Sequence, residues 1–324
     1  MTYRLGVVID PPETLAFKTD TSIALILAAR HAGLEIYYLN PDELYLLDGD
    51  PRAYTQRLFV KPEENHWFEM GDSVDLPLNN LDLIWMRKDP PVTLEYFYIT
   101  HILEHAEKSG VLVINKPQAV RDANVKLFST HFAHCCPTTL ISAKISHLRA
   151  FWQTHSSVVF KPLDAMGGRS IFVAHKEEPN INVILETLTH YGTQHIVAQR
   201  YLPEIATSGD KRIILLDGTP IPYALARIPA PGDTRANLAA GGTGHVVPLT
   251  ERDNWLCREI APTLKARGLF FVGLDVIGDY ITEINVTSPT GIRGIEKETG
   301  LDIAGLCIEL LQEKLALLKK SPLT

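Results

Sequence analysis

The sequence predicts an α/β protein in which a doubly wound parallel-sheet domain precedes an antiparallel α+β half. Three observations predict it. Apolar strand, helix and strand patterns alternate over about the first 120 residues. The pattern then changes to hairpins around Gly-containing turns. Finally, Gly273-Leu-Asp-Val-Ile-Gly-Asp-Tyr-Ile-Thr-Glu-Ile-Asn-Val286 brings Asp275, Glu283 and Asn285 together on two short strands. With 324 residues, 45% of them hydrophobic and 21% charged, the chain has room for two or three domains with real cores.

Leu5 to Ile9 reads as a buried parallel strand, Thr21 to Ala32 as a helix stopped by Gly33, and Leu34 to Leu39 as a second strand. Leu81 to Met86, Thr93 to Ser109 and Val111 to Asn115 continue the series as strand, helix and strand. The first strand runs into Asp10-Pro11-Pro12 rather than a Gly-x-Gly-x-x-Gly turn, which argues against bound NAD. After Lys116-Pro117, Asn124 to Ala133 is expected to be helical. Val158 to Lys161 opens a strand, Gly-rich loop and strand unit that ends near Val173. Ile181 to Thr189 reads as a helix and His195 to Gln199 as a strand, while Arg212 to Leu216 and Pro220 to Ala226 form a hairpin about Asp217-Gly218. The Gly-, Ala- and Pro-rich stretch from Ile228 to Gly244 has the length of a lid. A helix from Asn254 to Arg267, the Asp/Glu/Asn hairpin, a Ser288-Pro289-Thr290-Gly291 turn and a helix from Ile303 to Leu318 complete the chain.

The 31 basic and 38 acidic residues leave a formal charge of -7, so no broad cationic surface for nucleic acid or anionic lipid is expected. No apolar run approaches the roughly 20 residues that span a bilayer, and the N-terminus enters a strand pattern without a signal peptide. The cytoplasm is the expected location. Cys135, Cys136, Cys257 and Cys307 are too few for a disulfide scaffold and read as reduced thiols.

The chemistry-bearing residues form a series along the chain. Oxygen-only ligands such as Asp275, Glu283 and Asn285 suit Mg²⁺ bound jointly with phosphates; the alternative is a hairpin whose polar face meets water. A three-residue connection through Gly278, Asp279 and Tyr280 is expected to set Asp275 opposite Glu283. Lys161 ends a buried strand ahead of Gly167 and Gly168, whose backbone can approach phosphates closely. Lys126 offers a second cation. His195 to Leu202 is a strand that breaks at Pro203, where free backbone groups can meet an adenine edge. Asp210-Lys211-Arg212 clusters charge at the next strand, and Arg227 precedes the lid, which carries Arg235 and Asn237. An arginine on a mobile loop suits a clamp on transferring phosphoryl oxygen. His131, His134, Cys135 and Cys136 have no second ligand pair at zinc spacing, and no Gly-x-Ser-x-Gly elbow is present.

Taken in order, these features resemble the ATP-grasp superfamily. Met86-Arg-Lys-Asp-Pro-Pro91, Asn115-Lys-Pro117, Lys161-Pro-Leu-Asp164, Met166-Gly-Gly168, Asn237-Leu-Ala-Ala-Gly-Gly242 and Thr282-Glu-Ile-Asn-Val-Thr-Ser-Pro-Thr290 further resemble the prokaryotic glutathione synthetase family, from Leu5 to Leu315. The resemblance implies an N-terminal domain over 1–122 and an ATP-grasp fold of two subdomains, 123–200 and 201–324, with a mobile loop over 228–244. It implies a ligase that joins γ-glutamylcysteine to glycine at the expense of ATP, using Mg²⁺, with two ions expected and Mn²⁺ a possible substitute, and working as a homo-oligomer of four copies. Carried over by position, Lys126 and Lys161 would hold ATP phosphates under the amides of Gly167, Gly168 and Ser170. Gln199, Tyr201 and Leu202 would frame adenine, and Asp210 would meet the ribose. Glu283 and Asn285, with Asp275, would hold metal, while Arg227, Arg235 and Asn237 would serve the acyl phosphate. Arg87 and Arg293 are the candidates for substrate carboxylates, Arg87 alternatively serving an ion pair within the first domain. One departure is Gly291, where the family turn can hold Cys. The readings left beside this one are a carboxylate-amine ligase with other substrates and a non-catalytic ATP-binding module.

Overall fold

The computed structural model describes residues 2–237 and 241–320; Leu238, Ala239 and Ala240 of the expected lid lie outside them. β1 (Arg4–Val8), α1 (Thr21–His31) and β2 (Glu35–Leu47) make the βαβ opening. Asp20 caps α1, its carboxylate accepting from the Ser22 and Ile23 amides at 2.6 and 3.3 Å. β2 turns at Asp48-Gly49 into β3 (Asp50–Val60), followed by β4 (Phe68–Pro77) and β5 (Leu83–Met86). α2 (Leu94–Lys108) leads to β6 (Leu112–Ile114) and the short α3 (Pro117–Asp122).

The first sheet has the order β4-β3-β2-β1-β5-β6. β2, β1, β5 and β6 are parallel, with α1 packed into the core on one face and α2 into that on the other. The parallel sheet expected from the sequence is present and is extended by an antiparallel half that was not foreseen, because β2 continues beyond Leu39 to Leu47 and pairs with β3, which pairs with β4. β4 is largely exposed and polar, so it lacks the apolar run that marks the buried strands. A second correction concerns Asn124 to Ala133. Asn124 Oδ1 takes the Lys126 and Leu127 amides at 3.0 and 3.1 Å, and a kinked 3-10 segment, Phe128–Cys135, replaces the expected helix.

β7 (Thr139–Ser142), α4 (Ile145–Thr154), β8 (Ser157–Pro162), β9 (Phe172–His175), α5 (Ile181–Leu188) and β10 (Ile196–Arg200) build an antiparallel sheet of order β7-β10-β8-β9. Leu148 of α4 and Ile181, Ile184, Leu185 and Leu188 of α5 share its core. The last sheet, β13-β12-β11-β14-β15, comes from β11 (Asp210–Leu216), β12 (Thr219–Ile228), β13 (Thr243–Pro248), β14 (Phe271–Ile277) and β15 (Tyr280–Asn285). α6 (Glu251–Ala266) precedes β14 and starts three residues before the expected Asn254, because Thr250 and Asp253 form a capping box. The expected lid thus hangs between two paired strands, β12 and β13.

α7 (Ile292–Thr299) and α8 (Ile303–Lys320) end the described chain, and Ile303, Ile308, Leu311 and Leu315 of α8 share a core with Ile23 and Ile26 of α1. Asn115 makes a second seam. Its Nδ2 donates to the Phe271 and Val286 carbonyls at 2.8 and 2.7 Å, and its Oδ1 accepts from the Phe270 and Phe271 amides at 2.7 and 2.8 Å. All of these groups are buried. Asn115→Ala leaves several of them without a partner, so chemical denaturation should show a loss of about 2–5 kcal/mol; a loss below about 1 kcal/mol contradicts this account of the seam.

Candidate active site

Lys126 and Lys161 are each 5% exposed and converge on one carboxylate. Lys161 Nζ lies 3.4 Å and Lys126 Nζ 3.7 Å from Glu283 Oε1, and Lys126 Nζ also donates to the Ala165 carbonyl at 2.8 Å. Burial pulls the Lys126 pKa down, Glu283 works against that, and Lys161 adds to it. Burial works to raise the Glu283 pKa, but the two ammonium groups outweigh it and hold the carboxyl below its usual value. Two cations against one carboxylate leave a local excess of positive charge under the Gly-rich loop. Such a place suits a polyanion.

The hairpin that carries Glu283 reaches the expected pairing by another route. Its turn has two residues, Gly278 and Asp279, rather than three, and a bulge at Thr282 restores Asp275 opposite Glu283. Asp275 Oδ1 accepts from Arg212 Nε at 2.5 Å, and Oδ2 accepts from Arg212 Nη2 at 3.0 Å and Arg227 Nη2 at 3.1 Å. Burial alone would raise the Asp275 pKa; Arg212 and Arg227 overcome it and hold the group well below the carboxylate range. Arg227 continues the array to Asp210, giving Nη2 to Oδ2 at 2.6 Å and Nε to the backbone carbonyl at 3.2 Å. Burial pushes Asp210 up to about 7 against the pull of Arg227. Its second oxygen, Oδ1, is buried with no hydrogen-bond partner among the described residues, and Asp210 as a residue lines the cleft, where a ribose hydroxyl could supply the missing donor. Arg212 was not among the residues selected from the sequence. Strand alternation explains it: Lys211 points to the other face, where it pairs with buried Asp253, so Asp210 and Arg212 share the cleft side.

Asn285 is not among the residues that line the cleft; its Nδ2 donates to the Gly273 carbonyl at 3.2 Å, so its amide oxygen is the atom left to meet a cation. Among the described residues no group of three or more His, Cys, Asp or Glu converges as a metal cage. The donor set of Glu283, Asn285 and Asp275 is instead that of Mg²⁺ held by one or two carboxylates together with substrate phosphates, and it fits that ion. Of the residues weighed for zinc, Cys135 and Cys136 are buried and His134 pairs with Glu259 at the surface.

The roof is built from two loops. Gly167 and Gly168 line the cleft at positive φ, +64° and +79°, whereas Ser170 is exposed and outside the lining. Arg235 and Asn237 of the lid also line it, and Arg235 is held bidentately by Asp233, Nε to Oδ1 at 3.0 Å and Nη2 to Oδ2 at 2.7 Å. A Cβ on Gly168 would stand 2.7 Å from Asn237 Oδ1 and 3.4 Å from Arg235 Cδ, so the lid rests on the glycine itself. Gly168→Ala should therefore lower kcat/KM for the nucleotide by about 10- to 100-fold, through positive-φ strain and a lifted lid. Steady-state kinetics beside an unchanged melting curve checks this.

At the closed end, Val159, Val173 and Leu202 give apolar walls. The Tyr201 amide is taken by the Ser157 carbonyl at 3.0 Å and the Leu202 carbonyl by the Ile205 amide at 3.2 Å, while Gln199 Nε2 donates to Thr139 Oγ1 at 2.9 Å. The Leu202 amide has no partner among the described residues and can donate to a planar heterocycle. Arg87 and Arg293 do not line this cleft. They meet beside the N-terminus of α1, Arg87 Nε on Ser22 Oγ at 3.1 Å and Arg293 Nε on the Asp20 carbonyl at 3.2 Å.

Residues 3–121 match the family described as prokaryotic glutathione synthetase, N-terminal domain, and residues 125–300 match its ATP-grasp domain. Glutathione synthetase of Pseudomonas syringae pv. tomato is 51% identical over 315 residues, 97% of this chain and 98% of that protein. Glutathione synthetase of Escherichia coli (strain K12) is 50% identical over 312 residues, 96% and 98% of the two chains. Among solved structures, D-cycloserine synthetase DcsG superposes with a TM-score of 0.66 at 15% identity, covering 96% of this chain and 99% of that one. The ATP-grasp ligase PsnB with a minimal precursor gives 0.62 at 16% identity, again covering 96% and 99%. At such identities these two show the ATP-grasp fold alone.

Proposed function

The chain belongs to the prokaryotic glutathione synthetase family, ATP-dependent ligases, and we propose that its cleft couples γ-glutamylcysteine to glycine through an acyl phosphate. The observation that carries this reading is the convergence of Lys126, Lys161 and Glu283 beneath the Gly-rich loop and an arginine-bearing lid.

In this reading Lys126 and Lys161 bind the β- and γ-phosphates of ATP, and Gly167 and Gly168 let the loop backbone lie against them. The Leu202 amide and the apolar walls hold adenine beside Gln199 and Tyr201, and Asp210 Oδ1 accepts from the ribose. The cysteinyl carboxylate takes the γ-phosphoryl group, giving an acyl phosphate and ADP. Glycine's amine then attacks the acyl carbon, forming the peptide bond as phosphate leaves with a carboxylate oxygen, and the ammonium proton goes to solvent or phosphate. Glu283 and Asn285, with the remaining acceptor capacity of Asp275, would hold Mg²⁺. When bound, two such ions, or Mn²⁺ in their place, neutralise charge on the transferring phosphoryl group. In this reading Arg227 and Arg212, which hold Asp275, meet the developing charge on the acyl side, Arg235 closes over the phosphoryl oxygens, and Asn237 seats the lid on Gly168. No protein nucleophile is required; positioning and charge do the work.

The proposed setting is the cytoplasm, where ATP is supplied, and the proposed assembly is the homotetramer implied by the family resemblance. The test is ADP release by purified protein with Mg²⁺, ATP and γ-glutamylcysteine, with and without glycine, the thiol product being identified by mass. Glutathione formation that needs both substrates is the expected result. Activity only with another amine or acid contradicts the substrates, and nucleotide binding without turnover contradicts the ligase.

A further inference from the structure

The two lysines beneath the Gly-rich loop are held in different ways. Lys161 stands on β8, where pairing opposite Val197 of β10 fixes its backbone. Lys126 lies in the turn between α3 and the 3-10 segment, outside any helix or strand. A lysine on a flexible four-carbon stem makes a fixed charge when both its tip and its root are tied down. The tip of Lys126 is tied by the Ala165 carbonyl at 2.8 Å and by Glu283 at 3.7 Å. Its root is tied by Asn124.

Asn124 uses both ends of its side-chain amide. Oδ1 accepts from the Lys126 and Leu127 amides at 3.0 and 3.1 Å, which closes the turn around Lys126. Nδ2 donates to the Leu163 carbonyl at 3.0 Å, across 39 positions. That second bond adds nothing to the turn itself. Leu163 follows β8 directly and lies two residues before Ala165, so Asn124 and Lys126 grip the same strip of chain, the one that leads into Gly167 and Gly168. Between them Val125 makes the third attachment: its carbonyl accepts at 2.9 Å from the amide of Ile284, which sits between Glu283 and Asn285 on β15. The turn therefore joins the Gly-rich loop to the strand that carries the carboxylate between the lysines.

We infer that Asn124 is a positioning residue for the phosphate end of the cleft, setting the Lys126 ammonium against the Gly-rich loop before nucleotide arrives. Asn124 does not line the cleft, and it acts through Lys126. The inference rests on the reading of the cleft as an ATP site and deepens it. The phosphate end depends on Asn124, whereas the apolar end walled by Val159, Val173 and Leu202 does not.

The test titrates ADP and adenosine calorimetrically into wild type, Asn124→Ser and Asn124→Ala. Serine keeps a short oxygen that closes the turn but drops the bond to Leu163; alanine drops both. Asn124→Ser should bind ADP about 10-fold more weakly and adenosine within about twofold of wild type. In steady-state kinetics its KM for ATP should rise while its KM for glycine stays unmoved. In a Lys126→Met background the same substitution should weaken ADP by less than about threefold, because the lysine it positions is gone. A melting curve reports whether Asn124→Ala folds, and the serine variant carries the test if it does not. Wild-type ADP affinity in Asn124→Ser would overturn the inference. So would equal losses for ADP and adenosine, or a loss that persists in full without Lys126, since either means that Asn124 serves the fold alone. Wild type that does not bind ADP contradicts the nucleotide reading of the cleft and this inference with it.

Discussion

Glu283→Gln should lower kcat by about 10³-fold or more while the protein still folds and binds nucleotide. Among the described residues Glu283 is the single carboxylate on which Lys126 and Lys161 converge, and it faces Asp275 across the hairpin. Glutamine keeps the shape and one oxygen but removes the charge that balances two ammonium groups and attracts a divalent cation. The two effects separate by calorimetry with ADP. Without metal, the variant binds at least as tightly as wild type, because a carboxylate that repels phosphate has gone. With Mg²⁺, the gain in affinity shown by wild type is lost. A variant that keeps its Mg²⁺-dependent gain would remove Glu283 from the metal site.

Arg235→Ala should cost a similar factor, about 10³ in kcat, with a small change in KM for ATP. Among the described residues this guanidinium is held only by Asp233, from within the lid, so its stabilising contact is expected to form mainly with the transferring group. An interaction made only in the transition state lowers kcat and kcat/KM together. Arg235→Lys should recover a minor part, because an ammonium cannot reproduce the planar fork. A loss below tenfold in the alanine variant would show that the lid arginine does not meet the phosphoryl group.

Much of this site was legible because its signals are local. Period-2 alternation together with Gly278-Asp279 was enough to pair Asp275 with Glu283, even though the turn is tighter than expected and a bulge at Thr282 makes up the register. Lys161 was visible as a charge ending an apolar strand. The β3 and β4 extension was harder to see, as β4 presents polar residues, although Asp48-Gly49 marks the β2–β3 hairpin. Arg212 read only as one of three adjacent charges until alternation separated it from Lys211. The rest was tertiary. Asn115 joins β6 to backbone some 155 residues further on, and Arg87 meets Pro289 across 202 positions. Spacing along a chain carries no record of such meetings.

The central claim, that this cleft activates the cysteinyl carboxylate as an acyl phosphate, is tested most directly by oxygen transfer. γ-Glutamylcysteine labelled with ¹⁸O in its cysteinyl carboxylate would be turned over with Mg²⁺, ATP and glycine, and the phosphate released would be analysed by mass. One ¹⁸O in each phosphate, matched by glutathione formed, is the result expected of an acyl phosphate. Unlabelled phosphate accompanying glutathione would mean that the carboxylate never carried the phosphoryl group, and the roles given to Lys126, Lys161, Glu283 and the lid would have to be withdrawn.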